Sequence, residues 1–223
     1  MTTNREAVDR VKNQFNLVSK DTKKSDRFIL FTAKNIAESY ISKRLNDKRL
    51  FRQDNLYTEI TCIEMESIDV YKCDLVEFRS CNKLVKSKLK LPSLVYSKLG
   101  NTVKEVTSID GKYLFKPNTI SQYRRDSKRK QSKNLPKHFY VKDGYLYIPD
   151  SELKTVNIYV LSLDLYESEE ISSCREGCKS AWDYEFVAPS DLLEQILRET
   201  ASIIQPSVQL PVDENPNLEN RIK

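Results

Sequence analysis

Phe139-Tyr140-Val141-Lys142-Asp143-Gly144-Tyr145-Leu146-Tyr147-Ile148 is the stretch on which the fold turns. Two runs rich in aromatic and β-branched residues flank Asp143-Gly144. Aspartate followed by glycine is a two-residue hairpin signal, because glycine accepts the positive φ that so tight a turn needs. The arrangement recurs upstream, where residues 102–109 and 112–116 flank Asp110-Gly111. The two turns use half of the chain's four glycines. Working outward, residues 60–65, 73–78 and 86–91 read as further strands. Residues 156–163 do so too, with Val156, Ile158 and Val160 alternating against Tyr159 and Leu161. Short strands joined by tight turns predict a central antiparallel β-sandwich or small barrel over residues 56–188.

The flanks have helical periodicity. In residues 1–55, Val8, Val11, Phe15 and Val18 form one stripe. A second helix, capped by Ser25 or Asp26 and running to about Leu45, carries Ile29, Ala33, Ile36, Ala37, Tyr40 and Ile41. Lys43-Arg44-Leu45-Asn46-Asp47-Lys48-Arg49 closes it, where cations suit the helix dipole. Residues 189–204 predict a C-terminal helix with Leu192, Leu193, Ile196, Leu197, Thr200, Ile203 and Ile204 on its apolar face. Pro206, Pro211 and Pro216 make residues 205–223 an extended arm. The fold class is therefore α+β: N-terminal helices, a β domain, then a C-terminal helix with an extended tail. Subunit or partner contacts are expected from Leu192, Leu193, Ile196, Leu197 and Ile203, and from Val208, Leu210 and Val212 on the arm.

Composition argues against most enzyme classes. The 223 residues include one histidine, His138, and no clustered glycines. Paired-histidine metal sites, histidine-relayed catalysis, phosphate-binding loops and dinucleotide fingerprints all lack their residues. No catalytic residue or cofactor is implied. The net charge of +5 conceals a division. Residues 82–142 carry 16 basic and three acidic groups, and residues 143–223 carry six basic and 16 acidic groups. Such a chain can bind nucleic acid through its middle, or associate head to tail through opposed charges. A merely solvated lysine-rich surface explains the same counts. The basic loop over residues 123–138 is the strongest functional candidate. Arg124, Arg125, Lys128, Arg129, Lys130 and Lys133 lie within ten residues, with Tyr123 before them and Phe139 and Tyr140 beyond. Cations near aromatic rings suit phosphate contact with stacking, without base readout. An acidic neighbouring subunit would suit them equally.

Other candidates have plainer readings. Cys62, Cys73, Cys81, Cys174 and Cys178 are an odd number and read as free thiols; zinc or a reversible disulfide is the alternative. Asp164, Glu167, Glu169 and Glu170 read as a solvated acidic loop in preference to a metal site. Trp182, Tyr184 and Phe186 alternate like the packed face of a strand. Residues 1–24 contain no apolar signal-peptide core, and no apolar run approaches membrane-spanning length. A cytoplasmic protein, or part of a particle assembled in a cytoplasm, is expected.

The chain also resembles the neck ring, or head-to-tail connector, proteins of crAss-like bacteriophages. The resemblance is carried by the basic-ended N-terminal helix, by Thr61-Cys62-Ile63-Glu64-Met65-Glu66 with Cys73 and Cys81, and by Lys86-Ser87-Lys88-Leu89-Lys90-Leu91-Pro92. It continues through Val106-Thr107-Ser108-Ile109-Asp110-Gly111 and Gly144-Tyr145-Leu146-Tyr147-Ile148-Pro149. Pro189-Ser190-Asp191-Leu192-Leu193 and Asp213-Glu214-Asn215-Pro216-Asn217 complete it. The resemblance implies a structural virion protein, assembled in the bacterial host cytoplasm. It implies a closed ring of twelve subunits below the portal protein, in contact with other neck and tail proteins and giving passage to double-stranded DNA, with no membrane partner. Read from its residues alone, the chain also fits a non-specific nucleic-acid-binding module acting as a monomer or dimer.

Overall fold

Strand alternation closes the middle of the chain into a barrel. The computed structural model describes residues 2–14, 25–46, 56–69, 83–98, 100–119, 121, 123, 125, 137–174 and 179–204. Seven strands close in the order β1-β2-β8-β7-β6-β5-β9. They are β1 (Thr58–Ile68), β2 (Leu84–Ser87), β5 (Val103–Ser108), β6 (Leu114–Pro117), β7 (Lys137–Lys142), β8 (Tyr145–Pro149) and β9 (Thr155–Val160). β3 (Tyr96–Ser97) and β4 (Gly100–Asn101) form a separate two-stranded sheet. The structure is thus a barrel and not a sandwich. The expected strand at residues 73–78 lies outside the described residues.

Both Asp-Gly turns join neighbouring strands, by different routes. Asp143 (φ 52°) and Gly144 (φ 79°) form a two-residue turn with both φ positive, so Lys142 stands opposite Tyr145. The other turn is longer than the predicted two residues. Gly111 N donates to Ser108 O (2.9 Å) and Ser108 N to Tyr113 O (3.0 Å), with Gly111 alone at positive φ. One strand pair also departs from the antiparallel expectation: β6 and β7 run parallel, with Phe115 opposite Lys137. Parallel neighbours need a long crossover, and residues 118–136 supply it. Most of the basic loop is therefore the crossover itself, while Lys137 and His138 already belong to β7.

The barrel interior holds Ile63, Met65, Val85, Val106, Phe115, Phe139, Leu146, Ile148, Val156, Ile158 and Val160, among others. On β1, Ile60 and Ile63 both face inward although they are three residues apart. A bulge makes this possible: Ile60 pairs with Ile158 and Ile63 with Val156, so β1 carries one extra residue. Cys62 sits in it at φ 56°, its N–H bound to Asn157 Oδ1 at 3.0 Å.

Beside the barrel lies a layer of α1 (Asn4–Gln14), α2 (Asp26–Asn46) and a C-terminal helix. A short α3 (Leu165–Glu170) precedes that last helix, α4 (Leu193–Ile204). Val8, Val11, Ile29, Ala33, Ile36, Ala37, Ile196, Leu197 and Ile204 form its core, as the stripes predict. Phe15 and Val18 lie outside the described residues. Trp182 and Phe186 join this helical core instead of lining a strand face. Ile41 and Leu45 of α2 pack on Leu56, Val95 and Leu161, which fastens the helices to the outside of the barrel. Ser25 caps α2 through a bond from Phe28 N to its Oγ (3.3 Å).

Candidate assembly and nucleic-acid surface

The outer wall of β2, β7 and β8 is aromatic and basic. Leu84, Tyr140 and Tyr147 cluster there under Tyr123, with Ile68 and Tyr145 at their edge. Tyr123 N donates to Thr119 O (3.0 Å), forming a helical turn. Its ring meets Tyr140 edge-on at 5.8 Å, and its hydroxyl donates to Asp150 Oδ2 at 2.8 Å. The segment that carries the basic cluster therefore leaves from a fixed point on this wall. Arg125, one of the six predicted cations, is exposed just beyond Tyr123. Arg124, Lys128, Arg129, Lys130 and Lys133 lie outside the described residues.

The wall adds cations that the loop reading left out. Lys86 Nζ stands 3.7 Å from the centre of the Tyr145 ring and Lys90 Nζ 5.8 Å from it. Lys86 is opposite Glu66 in the strand register, yet its ammonium is over the tyrosine. On the next face of the barrel, Lys137 Nζ is 3.6 Å from the Tyr113 ring.

The C-terminal helix is placed differently from its predicted role. Leu192, Ile196 and Leu197 are buried against α1 and α2, because the chain's own three-helix layer needs that face. Leu193 is half-buried, and Ile203 is 52% exposed. Val208, Leu210 and Val212 lie outside the described residues.

Residues 6–221 match the crAss-like ring family described as phage tail ring protein 2. The chain belongs to that family. The match spans nearly the whole chain, so barrel and helical layer are both parts of a structural protein of the phage tail, a component of the virion. No curated protein matches the chain. Among the described residues, no helix of the ring protein is long and apolar enough to cross a membrane.

Sequence reasoning missed how the ring protein holds its two ends together. Four cations of the N-terminal helices meet four carboxylates from beyond residue 143: Arg5–Asp183 (3.4 Å), Arg10–Glu194 (3.1 Å), Lys34–Asp164 (2.8 Å) and Arg44–Asp191 (2.7 Å). The Arg44 guanidinium, donating to Asp191, holds that carboxyl below the ordinary carboxylate range. Four of the 16 acidic groups in residues 143–223 are thus paired inside the chain. The acidic loop is a set of separate fastenings. Asp164 caps α3, accepting from Tyr166 N (3.1 Å) and Glu167 N (3.4 Å). Glu167 accepts from Ser93 N (3.0 Å) and Oγ (2.9 Å), and Glu169 from the Tyr184 hydroxyl (2.6 Å). Among the described residues no three His, Cys, Asp or Glu side chains are grouped to hold a metal.

The cysteine expectation is corrected. Cys62 and Cys174 are joined as a disulfide, because the β1 bulge turns Cys62 toward the segment after α3. Ser173 N and Oγ both donate to Cys62 O, at 3.2 and 2.7 Å, so the backbones are already held together. Cys73, Cys81 and Cys178 lie outside the described residues. The N-terminal signal that sequence reading could have used is Thr3-Asn4-Arg5-Glu6. Glu6 N donates to Thr3 Oγ1 (3.2 Å) and Thr3 N to Glu6 Oε2 (3.1 Å), a reciprocal capping box.

Proposed function

We propose that the chain is the repeating subunit of a closed homo-oligomeric ring of twelve copies in the phage neck, joining portal to tail and giving passage to double-stranded DNA. The observation that carries this reading is the family match over residues 6–221. The wall bearing Lys86, Lys90, Tyr145 and Arg125 supports it, since cations and rings without a base-reading element suit a duplex that slides past. In this reading Arg124, Lys128, Arg129, Lys130 and Lys133 extend the same basic surface. Ile203 and the arm residues Val208, Leu210 and Val212 reach the portal protein or a neighbouring subunit. The ring assembles in the host cytoplasm with the other neck and tail proteins, and the chain catalyses no reaction.

Native mass spectrometry of the purified protein, alone and with the portal protein of its phage, tests the reading. A dodecamer, formed alone or on the portal, is expected. Deletion of residues 206–223 is expected to weaken portal attachment. A monomer or dimer that ignores portal and binds DNA with steep salt dependence would instead support a non-specific nucleic-acid-binding module, the reading that the lysine–tyrosine wall also permits.

A further inference from the structure

We propose that the β5–β6 hairpin of one subunit docks into the groove beside β1 of a second copy. The inference rests on the ring reading and names the contact that builds the ring.

The hairpin is an exposed apolar projection. Ile109 is 54% exposed, and Tyr113 and Leu114 are 44% exposed. Three large apolar side chains at one tip form a patch that a soluble surface rarely leaves uncovered. The tip is also rigid. Gly111 takes positive φ, Asp110 accepts from the Ser108 hydroxyl and pairs with Lys112 Nζ at 3.3 Å, and Lys137 covers the Tyr113 ring. A preordered loop loses little conformational freedom on docking.

The groove lies between β1 residues 58–61 and the described residues from Leu165 to Cys174, with Lys179 and Tyr184. It opens about 520 Å³, room for two or three large side chains, with Leu165 and Tyr184 supplying its apolar lining. Among the described residues, Glu59, Glu169 and Lys179 are the charged groups of its lining. Lys112 at the tip is paired with Asp110, and the cations left beside its apolar residues are Lys116 and Lys137. An apolar tip with cations thus faces an apolar groove with carboxylates, the complementarity that orients an encounter.

Position identifies the occupant as a second copy. Hairpin and groove share the wall β6-β5-β9-β1, but the groove runs along β1 from Thr58 while the hairpin projects outward past the Ser108–Val156 end. Ser108 at the foot of the tip pairs with Val156 of β9, whereas Thr58 at the groove pairs with Val160. A hairpin pointing away from its own groove cannot fill it. Repeated between identical copies, such a contact is heterologous and propagates in one rotational sense, as a ring requires.

Two variants test the contact. The tip variant is Ile109→Asp with Leu114→Asp. The groove variant is Glu59→Lys with Thr61→Arg. All four positions are exposed, so thermal melting should be close to wild type and serves as the folding control. Native mass spectrometry is run on wild type and on each variant under the conditions in which wild type forms rings, with portal if portal is needed. Each variant alone should lose ring fraction by about tenfold or more, as a loss of one or two kcal/mol per contact implies. An equimolar mixture of the two should give heterodimers and no rings, because one intact hairpin then meets one intact groove. Rings from either variant at the wild-type level, or a mixture that stays monomeric, would overturn the hairpin–groove contact while leaving the ring standing. Failure of wild type to form any ring, with or without portal, would overturn the ring reading first.

Discussion

The helical layer and the basic wall of the barrel treat charge in opposite ways. In the helical layer, arginine and lysine from α1 and α2 meet carboxylates from the C-terminal third, and each partner neutralises the other. On the barrel wall, Lys86, Lys90 and Lys137 lie over tyrosine rings. A ring attracts an ammonium but leaves its charge in place. The first arrangement fastens two ends of one chain. The second leaves the positive charge at the surface. The overall charge division, +13 in the middle against −10 at the end, therefore overstates the acid on offer to a partner.

The sharpest way to break the comparison is to ask whether the two regions unfold separately. Phe115 is fully buried in the barrel and Ile196 is fully buried among the helices. Phe115→Ala should cost about 3–5 kcal/mol and Ile196→Ala about 2–5 kcal/mol, from lost burial and the cavity left behind. Contacts of Ile41 and Leu45 with Leu161 join the regions, so both variants should shift one common denaturant transition. Two separated transitions would show that the layer and the barrel are independent.

A second test removes the covalent link. The Cys62–Cys174 disulfide spans 112 residues and ties the segment after α3 to β1. Cys62→Ser should lower stability by about 2–4 kcal/mol under oxidising conditions. Under reducing conditions the variant and wild type should melt together. A third, smaller effect concerns Asp164, which caps α3 and pairs with Lys34. Asp164→Ala should cost about 1–2 kcal/mol by chemical denaturation, the range of a lost cap with a partly shielded ion pair.

What the sequence made legible follows a physical rule. The positions of both Asp-Gly turns and the length of the Asp143-Gly144 one, the alternation of Val156, Ile158 and Val160, and the stripes of α1, α2 and α4 were readable, because each is set by neighbours in sequence. The choice between sandwich and barrel was not, since closure through the parallel β6–β7 pair depends on where a long crossover returns. The β1 bulge hid the pairing of Cys62, because one inserted residue defeats a period of two. The site was legible in part. Arg125 of the candidate surface was named from local charge, but Lys86 and Lys90 join that surface only through strand register. That Ile196 and Leu197 pack within the chain was not legible, because an apolar helix face looks the same in sequence whether its partner is the same chain or another.

The smallest predicted effect is also the most selective. Arg44 favours the ionised form of Asp191, so its carboxyl titrates below the ordinary range in the folded chain. A carboxyl depressed on folding contributes stability above its unfolded pKa and loses it as pH falls through the folded value. The pair is half exposed, so the contribution is small and screened by salt. Asp191→Asn should therefore leave the melting temperature nearly unchanged in acid, where the carboxyl is already protonated. It should lower the melting temperature slightly at neutral pH, flattening the acid limb of the profile. Among the described residues Lys86 makes no ion pair with a carboxylate, so Lys86→Met should leave that limb unchanged while weakening DNA retention at low salt. If Lys86→Met flattened the acid limb as Asp191→Asn does, the wall would be another internal fastening and the contrast between the regions would fail.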